Sequence, residues 1–150
     1  MSIEEIKNYI QVTDSIASSG QPEENQFKSI ALEGYEAVIN LAMPNSENAI
    51  PDEGNIVTAL KMVYVHIPVP FEAPKRSHLN QFINIMGSFS KQKVWVHCVV
   101  NYRVSAFLYN YWRFALKASH EDAKKVILPS WQPNRVWQEF MGIEVKKNAL

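Results

Sequence analysis

The stretch VWVHCVVNYRVS, residues 94–105, decides how this chain is read. It continues an apolar, β-branched run, KVWVHC over residues 93–98, of the kind that forms a strand covered on both faces. The run stops at Cys98. From Arg103 onward, RVSAFLYNYWRFALKAS (residues 103–119) is apolar around nearly its whole circumference, which predicts a central, buried helix. A strand ending on cysteine, a short loop and a helix opening at arginine together make an oxyanion site. The backbone N–H groups of Val99, Val100, Asn101, Tyr102 and Arg103 are expected to converge on one point, with the helix N-terminus and the planar fork of Arg103 adding charge. The same field stabilises a thiolate, the nucleophilic form of cysteine, so Cys98 is a candidate nucleophile.

Outward from this segment, strand-like and helix-like runs alternate. YEAVINLAM (35–43) and KMVYVHIPV (61–69) read as buried strands. A helix is expected over residues 22–34, with Pro22 tolerated in its first turn, Glu23 and Glu24 at its positive end and Gly34 closing it. Another follows Pro74, where Leu79, Phe82, Ile83 and Met86 recur at helical spacing. HEDAKKVIL is helical again, and Pro133 starts a last helix bearing Trp137 and Phe140. Ser18-Ser19-Gly20 reads as a helix cap, and Trp95, Trp112, Trp131 and Trp137 as core or surface anchors. Alternation of this kind predicts an α/β fold, a parallel sheet with helices on both faces and ligands outside the carboxyl ends of the strands. Cys98 lies at such an end.

With 47% hydrophobic residues and no long linker, all 150 residues are expected to form one domain. Fifteen basic and fifteen acidic side chains cancel, which argues against nucleic-acid or anionic-membrane partners and makes anion recognition a local matter. The lone cysteine excludes an internal disulfide and fits a reducing compartment, and the acidic N-terminus is unlike a signal peptide, so the chain reads as cytoplasmic. No cysteine, histidine and carboxylate cluster stands at ligand spacing, and neither a metal nor another cofactor is expected. The sequence carries no signal for oligomeric state.

His97-Cys98 followed by Arg103 and Ser105 resembles the His-Cys-x5-Arg-Ser/Thr signature of protein tyrosine and dual-specificity phosphatases. The wider run through SGQPEENQF, AVINLAM, YVHIPVPFEAP and VWVHCVVNYRVSAF is similar to small bacterial phosphatases of the dual-specificity type. The resemblance covers most of the chain. It implies the three-layer α/β/α phosphatase fold with a mainly parallel sheet, and metal-free, two-step hydrolysis of a phosphoprotein or small phosphoester through a cysteinyl-phosphate. It also gives His97 and Ser105 supporting roles, and implies a general acid on the loop after the strand preceding the cysteine strand. That loop is PVPFEAP here. Glu72, the only carboxylate between Glu53 and Cys98, is therefore the acid candidate, with Asp52, Glu53 and His78 as weaker ones and a plain solvated residue as the bland alternative.

The chain departs from the signature in having four residues, not five, between Cys98 and its arginine. Anchoring on Arg103 keeps the guanidinium and shortens the loop; anchoring on Ser105 keeps loop length but puts Val104 at the arginine position. The first is preferred, since a phosphate cradle without a guanidinium loses its main charged donor. Asn101 stands where the family has glycine and tolerates a left-handed backbone. Four-residue spacing also matches the Cys-x4-Arg loop of rhodanese-type sulfurtransferases, so sulfur transfer and a non-catalytic phosphate-binding module are the alternatives.

Overall fold

In the computed structural model, which describes residues 2–143, five strands form one sheet. They are β1 (Ile10–Gln11), β2 (Ile16–Ser19), β3 (Ala37–Asn40), β4 (Val63–His66) and β5 (Val94–His97), in the order β1-β2-β5-β3-β4. β1 runs antiparallel to β2, and the other neighbours are parallel. The continuous apolar runs of β3 and β5 take the inner positions, where all four residues of each are buried. Register brings Ser19, Asn40, His66 and His97 level, so the segments that follow them open at one edge of the sheet.

Helices cover both faces. On one, Phe27 and Ile30 of α1 (Glu24–Leu32) and Val57 of α2 (Glu53–Ala59) pack on Ala17, Val38 and Trp95. On the other, α3 (Arg76–Ser88), α4 (Tyr102–Asn110), α5 (His120–Ala123) and α6 (Arg135–Met141) bury Leu79, Phe82, Phe107, Ala123 and Trp137 against Ile39, Val94 and Val96. Because side chains alternate along a strand, Cys98 falls on the α4 side with Val94 and Val96, while Trp95 and His97 face α1 and α2. No helix among the described residues is long and apolar enough to cross a membrane.

The expected strands and helices form, with shorter ends. Three elements were not foreseen: β1, β2 and α2. Ser18 and Ser19 belong to β2 rather than to a helix cap, and α1 begins at Glu24, where Gln26 Oε1 accepts the N–H of Glu23 at 2.8 Å. The buried helix predicted to run to residue 119 ends at Asn110 and passes into a π-helical turn, Tyr111–Ala115. That wider turn, with Leu116 N–H on Tyr111 O at 3.2 Å, carries the following side chains off the core, leaving Phe114 48% and Leu116 50% exposed.

Between β2 and α1 the chain crosses close above the loop after Cys98. A Cβ on Gly20 would stand 2.5 Å from Val99 O and 3.2 Å from the Cα of Val100, both backbone atoms. Gly20→Ala should therefore cost about 1–3 kcal/mol in urea denaturation. Unchanged stability would show that the two segments separate freely.

Candidate active site

The ladder of β5 ends with Cys98, whose N–H bonds to Ser19 O at 3.3 Å. Beyond it, three carbonyls in a row meet partners from outside the loop: Cys98 O faces His97 Nδ1 (3.1 Å), Val99 O accepts from Gln21 N–H (2.9 Å) and Val100 O accepts from Asn8 Nδ2 (2.9 Å). In a trans peptide the C=O and the following N–H point in opposite directions. Fixing these carbonyls therefore turns the N–H groups of Val99, Val100 and Asn101 to the other side. Together with those of Tyr102 and Arg103 in the first turn of α4, they donate to no protein acceptor among the described residues.

Asn101 holds the turn into α4 with a left-handed backbone, φ 72° and ψ 14°, as its side chain allows. Its Nδ2 donates to Asn8 O (2.8 Å) and Ser18 Oγ (3.1 Å), which closes a reciprocal clasp with Asn8. Ser105 serves from behind: its Oγ accepts the N–H of Leu128 at 3.0 Å and lies 3.4 Å from Asn101 Oδ1.

Arg103 is 6% exposed and reaches a cleft of about 650 Å³. Its Nη1 donates to Val69 O (2.9 Å), its Nε is buried and meets no partner among the described residues, and its guanidinium carbon lies 5.8 Å from the Phe71 ring centre. Val104 sits instead in the apolar core, so of the two anchorings only the one on Arg103 puts a side chain of the loop's helix end into the cleft. The other walls come from 43–47 after β3 and 70–72 after β4, the latter including Glu72. Ala73 N–H on Pro70 O (3.2 Å) and Trp137 Nε1 on Phe71 O (3.0 Å) fix the turn that carries Glu72. Cys98 itself is wholly buried, below Val99 and Val100 of the lining.

His97 points to the opposite face, where Nε2 meets Glu53 Oε2 at 2.7 Å, and Glu53 Oε1 accepts from Gln21 Nε2 at 2.6 Å. Both ring nitrogens face oxygen atoms, Nδ1 that of the Cys98 carbonyl and Nε2 that of the Glu53 carboxyl. Burial opposes ionisation of Glu53, but the charge of His97 and hydrogen bonds from His97, Gln21 and Tyr64 outweigh it and hold the carboxyl below its ordinary value. Glu53 is thus a structural partner of His97, not an acid facing the cleft. Asp52, at the start of α2, and His78, in α3, also lie outside the cleft lining. Sequence reasoning missed Asn8 and Gln21, whose partners are 92 and 78 residues away, and Glu47, a second cleft carboxylate. Only the polar character of the segments flanking the strands hinted at them.

The sequence model of the family described as "DSP-PTPase phosphatase fused to NAD+ Kinase" matches residues 4–140. Among solved structures, a DUF442 protein of Shewanella putrefaciens CN-32, named as a candidate phosphatase, is similar with a TM-score of 0.82 and 33% identity over 93% of this chain and 92% of that one. Tk-PTP in its active form shares the fold with a TM-score of 0.76 at 18% identity, covering 90% of this chain and 94% of its own. The core catalytic domain of the PP-IP phosphatase SIW14 from S. cerevisiae, in complex with citrate, does so with 0.71 at 14%, covering 95% and 88%. None of the curated proteins matches the sequence.

The Glu53 carboxyl, ordinarily near 4.5, is held lower in the folded chain, so its stabilisation is complete above that value and is lost as pH falls through the folded one. Glu53→Gln should cost about 3–5 kcal/mol at neutral pH, since it breaks a buried pair. The gap between wild type and variant should narrow in urea denaturation as pH drops from about 6 to about 3. A gap independent of pH would show that the carboxylate charge contributes nothing.

Proposed function

The chain belongs to the DSP-PTPase family, a family of phosphatases, and from that premise we propose that it hydrolyses a phosphate monoester through a cysteinyl-phosphate intermediate. The observation that carries this reading is the run of five N–H groups, Val99 to Arg103, that meet no acceptor among the described residues, beside Cys98 at the carboxyl end of β5. With the dipole of α4 and the fork of Arg103 they suit a dianion. The buried, unpartnered Nε of Arg103 supports the same reading, because an orphaned donor costs about 1–3 kcal/mol, and more when charged, until an anion meets it.

In the first step the Cys98 thiolate attacks phosphorus. The S–P bond forms, the P–O bond to the leaving group breaks, and Glu72 in its acid form gives its proton to the departing oxygen. In the second, water passes a proton to the Glu72 carboxylate as it attacks phosphorus; the S–P bond breaks and the thiolate returns. Arg103 and the loop N–H groups hold the non-bridging oxygens throughout, with phosphorus about 3–3.5 Å from Sγ at the moment of attack. Since Cys98 is wholly buried, substrate entry includes a shift of the loop that uncovers the thiol. The same burial favours a second reading, a module that binds phosphate without turning it over.

Cys98→Ser should abolish phosphate release and retain phosphate binding, because a hydroxyl with no adjacent base is a poor nucleophile. Turnover in that variant removes Cys98 from the mechanism, and a wild type that binds phosphate without releasing it from esters supports the binding module. Sulfur transfer from thiosulfate without phosphate release reassigns the thiol to the chemistry that its four-residue spacing also fits.

Glu72→Gln should slow esters with poor leaving groups by about 10²–10⁴-fold and nitrophenyl esters little, since only a high-pKa alkoxide needs the proton. Steady-state kinetics on paired substrates measures this. Equal losses for both point to a structural role, and no loss for either removes Glu72 from the chemistry.

A further inference from the structure

The cleft over the loop is uneven in charge. Of the described residues that line it, Arg103 is the sole cation, while Glu47 and Glu72 place two exposed carboxylates on it. Much of the remaining wall is apolar, and its rings are fixed from behind. Tyr102 stacks on Trp131 with centroids 5.1 Å apart, and Phe71 packs on Trp137 at 5.5 Å. Arg103 and the loop N–H groups answer one phosphate group. A second anion on the same carrier would enter the field of Glu47, the cleft carboxylate that holds no proton for the leaving group, and like charges a few ångströms apart repel even at a solvated surface. An aromatic or apolar carrier would instead cover Phe71 and Tyr102, and a cation beside the phosphate would find a carboxylate.

We infer that the cleft selects on the charge of the carrier, with Glu47 as a specificity-determining residue. It takes a phosphate monoester on an aromatic or apolar carrier whose other groups are neutral or positive, and it rejects carriers that bear further phosphates or flanking carboxylates. The inference rests on the phosphatase reading and names its substrate class. Glu72 is given a proton to move in that reading, whereas Glu47 has no step to perform and acts through its charge alone. Its exposure makes the effect one of ionic strength as well as of sequence.

Two phosphotyrosine peptides that differ only in carrying Lys or Glu on each side of the phosphorylated residue test the selection, with inositol hexakisphosphate as a polyphosphate probe. For the wild type, kcat/KM should be about tenfold or more higher for the Lys-flanked peptide, with no turnover of the hexakisphosphate. About 0.5 M salt should shrink the ratio, since it screens exposed charges. Glu47→Lys should bring it near one or reverse it. The same peptides titrated onto Cys98→Ser protein report binding apart from turnover. Equal kcat/KM and equal affinity for the two peptides, a ratio untouched by Glu47→Lys, or hexakisphosphate turnover matching that of the Lys-flanked peptide overturns the selection. A Lys-flanked preference in binding without phosphate release overturns the hydrolytic reading alone and leaves the selection standing. Binding of neither peptide overturns both.

Discussion

Three successive carbonyl oxygens, those of Cys98, Val99 and Val100, are held by His97, Gln21 and Asn8, and the character of the site follows from that constraint. A loop of four residues between cysteine and arginine has no inherent reason to show its N–H groups to one side. Peptide planarity supplies the reason once the carbonyls are fixed, because each immobilised C=O sends the next N–H the other way. In the proposed reading the loop receives its anion through this orientation of the backbone, and Arg103 adds formal charge to the same N–H groups. In the proposed reaction, once the loop has shifted to uncover Cys98, N–H groups already turned to one side need little further reorganisation as charge develops on phosphate.

One carboxylate ties two of these contacts together. Glu53 receives His97 on one oxygen and Gln21 on the other, and those residues hold the carbonyls of Cys98 and Val99 in turn. Burying a charge is costly, and here the cost is offset by an opposite charge and several hydrogen bonds. The parallel register of β2 with β5 makes the arrangement reachable, because Ser19 and His97 end level and the chain then crosses directly above the loop. Gly20 permits that crossing by lacking a Cβ. The third tie, at Val100, comes from Asn8, whose own carbonyl is taken by Asn101.

The frame of this structure is legible in the sequence because it rests on local, periodic signals. Continuous apolar runs mark β3 and β5, helical spacing of Leu79, Phe82 and Met86 marks α3, and Asn101 falls where a left-handed turn was needed. The rest depends on partners distant in the chain. β2 ends in two serines that look like a cap, yet both are buried, with Ser19 Oγ accepting from Trp95 Nε1 and Ser18 Oγ from Asn101 Nδ2. In α2, Glu53 and Val57 are the buried residues, so no apolar stripe announces the helix, and Glu53 reads as a surface acid until His97 is placed opposite it. The overestimated length of α4 has the converse cause: apolar residues past Tyr111 need not be buried, and a π turn puts them at the surface.

The central claim is that residues 98–103 form an oxyanion cradle around a reactive thiol, and a crystal grown with orthovanadate tests it most directly. The account predicts vanadium bonded to Cys98 Sγ, its oxygens met by the N–H groups of Val99 to Arg103, and the guanidinium of Arg103 bound to two of them. Vanadate absent from the loop, or bound there with Cys98 still buried and Arg103 still directed at Val69 O alone, would contradict it.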